Sequence, residues 1–250
     1  MRILALIVTL LIATGAARAV EINALISTAI KSATDELLPR FEQANGHTIK
    51  AFYGPSGALI PRFERGDPTD LFLTDATAID GLIKQGKIVA PRIDYARTGI
   101  GIAVRKGAPK PDVSTPDALK RALLAAKAIG YAATSGGSIT GGHIMRMFEA
   151  LGIAKEMAAK TKLAAGGPNG RVSVLVSSGE AEIGLQQVSE LMSNPDVEVI
   201  GMLPAELQLT TVYSAGITAN AKQPDAAKAL IQVLMTPQAA AVFKAKGLGL

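Results

Sequence analysis

Hydroxyl-bearing residues and glycines gather where helices should begin at four places in this chain of 250 residues. They are Ser27, Thr28 and Ala29 in "ISTAIK", Ser56 and Gly57 in "GPSGAL", Gly141 and Gly142 in "SGGSITGGH", and Asn169 with Arg171 in "GPNGR". The first turn of a helix leaves several N–H groups unpaired and carries about half a positive charge. Such a turn holds a small anion without needing a lysine or arginine. Ser56 would add a hydroxyl donor, and Gly57 would let the backbone come close to a guest. Ser27 or Thr28 serves equally well as a plain helix cap. Thr140 is expected to cap a helix starting at Gly142. Arg171 pointing inward would suit a carboxylate through its planar fork; pointing outward it is a solvated helix residue.

Other chemistries find little support. "GPSGA" lacks the spacing of a serine nucleophile elbow, and only His47 and His143 are present to act as base. The glycine stretch lacks the lysine and spacing of a phosphate loop, so no nucleotide cofactor is expected. Asp67, Asp70 and Asp75 match no metal-binding spacing and read as turn and cap residues. There is no cysteine, which removes thiol catalysis and cysteine-based metal sites. Ten Phe and Tyr and no Trp leave few platforms for sugars.

The first nineteen residues combine a basic start at Arg2, an apolar run from Ile3 to Ile12 and the exit Ala17-Arg18-Ala19. That is the pattern of a secretory signal cleaved after Ala19. The run is about half the ~20 residues a membrane span needs. Cleavage leaves 24 basic against 21 acidic residues, a net charge of +3. These charges are scattered, which argues against a nucleic-acid partner.

Apolar strands alternate with amphipathic helices along the mature chain. Strands are expected at 22–26, 48–53, 71–73, 100–104, 129–132, 182–186, 197–200 and 209–218. Helices are expected at 29–45, 58–65, 76–85, from Pro116, at 142–151, 171–178, 224–235 and 237–246. Pro39 predicts a kink or early fraying in the first helix, and Pro61 delays the start of the second beyond Ser56. Alternation of this kind predicts parallel α/β sheets. Two such sets with a returning tail predict two lobes, 20–97 with 206–250 and 98–205. The crossings would lie near Arg97–Gly101 and Leu207–Ser214.

The ordered segments "FYGPSGALIPRFERGDPTDLFLTD", "GGHIMRMFEALGI", "SSGEAEIGLQQVSEL" and "TPQAAAVFKAKGL" resemble the periplasmic molybdate-binding proteins of ABC transporters. The resemblance implies a type II periplasmic-binding-protein fold, each lobe a mixed sheet flanked by helices. It implies a monomeric, periplasmic, non-enzymatic protein that traps a small oxyanion between its lobes and hands it to a permease. Ser56 matches the family's hydroxyl donor, and Asn169 falls near a backbone donor. Two positions depart from the pattern. Ala29 stands where the family has a serine, and Gln187 where it has a tyrosine hydroxyl. A tetrahedral dianion wants donors only, whereas Gln187 both donates and accepts. A small organic di- or tricarboxylate is therefore the alternative ligand.

Overall fold

A computed structural model describes residues 19–165 and 171–249. Residues 1–18 of the expected leader, and Asn169, lie outside the described residues.

The chain runs β1 (Glu21–Ser27), α1 (Lys31–Asn45), β2 (Thr48–Gly54), α2 (Ser56–Glu64), β3 (Leu71–Asp75), α3 (Ala76–Lys84) and β4 (Ile93–Thr98). It then forms β5 (Ile100–Arg105), α4 (Pro116–Ala125), β6 (Ile129–Ala132), α5 (Ile139–Ala150), α6 (Ala154–Lys160) and β7 (Thr161–Ala164). After α7 (Val172–Ser177) come β8 (Ile183–Gln187), α8 (Val188–Leu191), β9 (Val197–Met202), β10 (Thr211–Ile217), α9 (Pro224–Leu234) and α10 (Pro237–Ala245).

The strands form two five-stranded sheets, ordered β2-β1-β3-β10-β4 and β7-β6-β8-β5-β9. Both are mixed. β1 is parallel to β2 and β3, while β10 runs antiparallel to β3 and β4. β6 is parallel to β7 and β8, while β5 runs antiparallel to β8 and β9. Mixed sheets flanked by helices are what the family resemblance implies; the parallel sheets read from alternation alone hold for β1, β2 and β3 and for β6, β7 and β8. The returning strand inserts between β3 and β4, and β5 enters the second sheet directly from its neighbour β4.

Both faces of each sheet are covered, so central strands are apolar throughout rather than alternating. Ile26 and Leu73 pack on one face with Phe41, Leu230 and Phe243. Leu25 and Phe72 turn to the other, against Leu59, Ile79 and Leu82. The second sheet packs Ile102 and Leu185 with Leu119 and Phe148 on one side, and Ala103 with Val172 and Val176 on the other.

Two proline expectations are revised. α1 continues through Pro39 to Asn45, ending at Gly46 with φ 68. Pro39 lies on the exposed side, where the carbonyl it leaves unpaired can meet water. α2 begins at Ser56 despite Pro61, because the missing bond costs only one link near the helix start.

The chain crosses between the sheets at Gly99 and again between Met202 and Thr211. Gln208 ties the crossings together: its Oε1 accepts from the Ile100 amide at 2.8 Å and its Nε2 donates to the Ile100 carbonyl at 3.1 Å. The C-terminus returns to the first sheet, where Gly249 and Arg97 exchange backbone hydrogen bonds of 2.8 and 2.7 Å.

Candidate functional site

Five strands end on one hollow between the sheets. Ser27 of β1, Gly54 of β2, Ala132 of β6, Ala164 of β7 and Gln187 of β8 are the last residues of their strands, and all five line a cavity of about 720 Å³. Open α/β sheets place ligands at such carboxyl ends. Both lobes contribute to its wall.

Of the residues singled out in the sequence, Ser27, Thr28, Ala29, Ser56, Arg171 and Gln187 line this cavity. Ser27 caps a short 3-10 turn, Thr28–Ile30, that precedes α1; its Oγ accepts from the Ala29 amide at 3.4 Å. Ser56 opens α2 and is 9% exposed. Its Oγ accepts from Thr74 Oγ1 at 2.8 Å, which leaves its own hydrogen for a guest.

Gly57, Gly141 and Gly142 are placed differently. The Gly57 amide crosses the cleft to the Gly137 carbonyl at 3.3 Å, so it joins the lobes. Helix α5 starts at Ile139, and its cap is Ser138 rather than Thr140. The Gly141 amide donates to Ser138 Oγ at 3.1 Å, and the Gly142 amide to the Ser138 carbonyl at 3.3 Å. Ser138, Ile139 and Thr140 reach the cavity instead. The glycine at 141 answers a packing need: a Cβ there would stand 2.1 Å from the Ala132 carbonyl oxygen.

Gln187 faces the cavity, but both ends of its amide are engaged across the lobes. Its Oε1 accepts from the Tyr213 hydroxyl at 2.6 Å, and its Nε2 donates to Thr211 Oγ1 at 3.1 Å. Both partners belong to β10 of the first sheet. Two bonds of this kind pin the approach of the lobes.

The wall also holds groups that sequence reasoning missed, above all Glu190 and Tyr213. Glu190 lies on α8, the single turn after Gln187. Burial pushes its carboxyl up to about 7, against the opposing pull of the Arg171 guanidinium and the Thr28 hydroxyl. Burial, together with the Glu190 charge, raises the Tyr213 phenol, so that it keeps its proton. Lys31, Asp35 and Lys246 complete the charged lining. Lys31 is paired with Asp35 at 2.6 Å, and Lys246 with Glu36 at 3.3 Å. The available signal for Glu190 was its place just beyond a strand's carboxyl end.

Neither histidine takes part. His143 Nε2 meets the Leu207 carbonyl at 2.7 Å, and the Val20 amide donates to His47 Nδ1 at 3.4 Å. A serine–histidine pair at Ser56 is thereby excluded. Asp70 accepts from the amides of Asn23, Lys222 and Gln223, and Asp75 caps α3 through the Ala78 amide. Both carry the structural duty that the sequence assigned them.

Two mixed sheets joined by two crossings, with an anion-suited cleft between them, define a bilobal binding protein. The chain belongs to the bacterial extracellular solute-binding protein family, which it matches over residues 22–249. It is 33% identical over 234 residues to an aconitate isomerase of a Pseudomonas species, covering 91% of this chain and 87% of the relative. It is 28% identical over 242 residues to the molybdate-binding protein ModA of Azotobacter vinelandii, covering 94% and 92% respectively. The solved periplasmic molybdate-binding protein of Azotobacter vinelandii superposes with a TM-score of 0.75 at 20% identity, over 92% of this chain and 99% of that one.

Proposed function

We propose that this chain is the periplasmic solute-binding component of an ABC importer, exported by its leader, and that its ligand is a small organic di- or tricarboxylate. The observation that carries this reading is the joint presence of Arg171 and Glu190 on the cavity wall. Arg171 offers a carboxylate a planar pair of donors. Glu190, titrating near neutrality, can share a proton with a polybasic acid. A tetrahedral dianion that is fully ionised at neutral pH has no proton to share and would face a partly charged carboxylate. Room is consistent with the larger guest. A tetrahedral oxyanion takes only a few times the roughly 30 Å³ of one liquid water, a small part of the 720 Å³ present. The Ser56 hydroxyl and the amides of Ser56, Ile139 and Thr140, which line the cavity at the starts of α2 and α5, would hold further carboxylate oxygens. The protein is taken to act as a monomer, without cofactor, delivering its ligand to a membrane permease.

The test is a thermal-shift and calorimetry panel on the mature protein, with molybdate, tungstate, sulfate, phosphate, citrate, cis- and trans-aconitate and C4 dicarboxylates. A ligand at a hundred times its Kd stabilises by about 2.7 kcal/mol, or roughly 5–10 °C in a chain of this size. Carboxylates are expected to give that shift, and Ser56→Ala to weaken the binding roughly 10- to 150-fold, the value of a hydrogen bond to a charged group. A larger shift with molybdate than with any carboxylate would overturn the ligand assignment.

A second reading has a specific observation behind it. Family membership supports a binder without turnover, but the Pseudomonas relative bears an enzyme's name. The cleft holds a desolvated carboxyl facing its guest, the group that a proton-shifting isomerase requires. In this reading the same cleft interconverts the isomers of an unsaturated tricarboxylate.

A further inference from the structure

The cavity offers few groups able to carry a proton. Asp35 is tied to Lys31 at 2.6 Å. The Tyr213 hydroxyl is held by Gln187 Oε1 at 2.6 Å, and burial keeps it protonated. Asp75 points its Oδ1 at the start of α3 and does not line the cavity. His143 is turned to the Leu207 carbonyl. Glu190 remains. It sits where α8 of the second lobe packs on the Thr28–Ile30 turn of the first, with Arg171 at the same wall. By strand register Glu198 lies at the far end of the β5–β9 pairing, and Arg105 ends β5, both away from Gln187.

Two hydroxyls on the same cavity wall point to a guest. Ser189 Oγ, one residue away and 1% exposed, is buried with no hydrogen-bond partner. Ser32, on α1 of the opposite lobe, is half-buried, and its Oγ is likewise buried with no hydrogen-bond partner. Both residues line the cavity. Buried hydroxyls are rarely left unpaired, so each calls for a partner that the cavity receives from outside.

We propose that Glu190 is the acid–base group of this cleft, carrying one proton between the two ends of an allylic system in an unsaturated tricarboxylate. The inference rests on the isomerase reading above. The Glu190 carboxylate takes a proton from the methylene carbon. The C–H electron pair becomes the new double bond, and the old double bond's electrons move to its far carbon. The protonated carboxyl then returns its proton to that far carbon. One C–H bond breaks, one forms, and the double bond moves by one carbon. No oxidant, reductant or cofactor enters the balance. Arg171 stabilises the charge that spreads onto a substrate carboxylate during the transfer, and Ser32 and Ser189 orient the carboxylates at either end.

The experiment follows trans-aconitate with mature protein by proton NMR in D2O, for wild type, Glu190→Gln and Glu190→Asp, with thermal shift by trans-aconitate as the binding readout. Wild type is expected to form the cis isomer. Glu190→Gln should lose 10²- to 10⁴-fold in kcat, the usual contribution of a general acid–base group, and keep its thermal shift. Glu190→Asp should recover part of the rate. Turnover by Glu190→Gln within tenfold of wild type overturns the assignment and leaves the isomerase reading standing. Loss of binding together with turnover overturns it also, since Glu190 would then act in holding the ligand. Wild type that binds trans-aconitate without interconverting it ends the isomerase reading and this proposal together, while carboxylate binding survives.

Discussion

Gly57→Ala should hold the cleft open. A Cβ at Gly57 would stand 2.7 Å from Gly137 Cα, 2.8 Å from its carbonyl oxygen and 3.2 Å from its carbonyl carbon. All three atoms are backbone of the opposite lobe, so no side chain can swing aside. Ordinary contact begins near 3.4 Å, and the lobes must therefore separate locally by about 0.7 Å. Helix α2 cannot retreat to absorb this, because Leu59 anchors it beneath Leu25, Phe72 and Ile79. The displacement falls one residue from Ser56. It also breaks the 3.3 Å bond between the Gly57 amide and the Gly137 carbonyl. Losing one charge-assisted hydrogen bond to the ligand costs about 1.5–3 kcal/mol, or roughly 10- to 150-fold in affinity. The assay is calorimetric titration with the anion giving the largest thermal shift, beside the melting temperature without ligand. Affinity should fall at least tenfold while the ligand-free melting temperature stays within a degree or two, since the core of each lobe is untouched. Gly81→Ala is the control; nothing lies within 4 Å of its added Cβ, and its affinity should match wild type. Equal dissociation constants for wild type and Gly57→Ala would refute the reasoning that this glycine pair sets the closed geometry.

Gln187→Leu removes both bonds to Tyr213 and Thr211 and leaves their hydroxyls to find other partners. Because the amide is spent across the lobes, affinity for molybdate and for carboxylates should fall by the same factor in calorimetry; a changed ratio between them would place Gln187 on the ligand instead. Glu190→Gln should stabilise the ligand-free protein in a pH-dependent way. The folded carboxyl titrates near 7 against an ordinary 4.5, so between these values the native state binds the proton more tightly and stability falls as pH rises. The cost is absent below pH 4.5 and complete above 7. It amounts to at most about 3 kcal/mol, with water in the open cleft reducing it. The variant's melting temperature should match wild type near pH 4.5 and exceed it at pH 8, by up to roughly 6–12 °C. A constant difference across this range would contradict the assignment of the shift to Glu190.

The apolar strands were legible because both faces of each sheet are covered. β1, β3, β5 and β6 read as apolar runs that needed no partner information, and Thr115 with Pro116 announced α4. β4, β7, α6 and α8 were not seen. β4, "IDYART", interrupts its apolar residues with exposed Asp94 and Arg97 because it is the last strand of its sheet, with Asp94 set beside Ser214 and Arg92. β7 is four residues long and leaves Leu163 largely exposed. α8 is a single turn, too short for a periodic signal, and is held by packing on β5 and β9 and on the opposite lobe's Thr28–Ile30 turn. The hydroxyls at Ser27 and Ser56 were readable as helix starts. Glu190 and Tyr213 were not, because each lies in a different lobe and acquires its character only from burial between them. Gly57 was legible as a site of close approach, but the approaching group is Gly137 rather than a ligand.

An ionisable carboxyl is an odd thing to place in a cleft that only captures anions. Donor amides and hydroxyls hold a dianion at no cost in proton uptake, whereas a carboxyl desolvated near Tyr213 opposes both folding above neutral pH and the entry of a second negative charge. An amide at this position would remove that folding cost. A destabilising group of this kind is what a stability–activity trade-off places where a group does chemistry. The interlobe bonds of Gln187 and Gly57 close the cleft with the protein's own donors and leave Arg171, Ser32, Ser189 and Glu190 on its wall. In the proposed isomerase reading, one carboxyl separates catalysis from capture in this cleft. Under that reading Glu190→Gln should abolish turnover and leave a more stable receptor that still binds the same tricarboxylate; a Kd for trans-aconitate raised tenfold in that variant would break the argument.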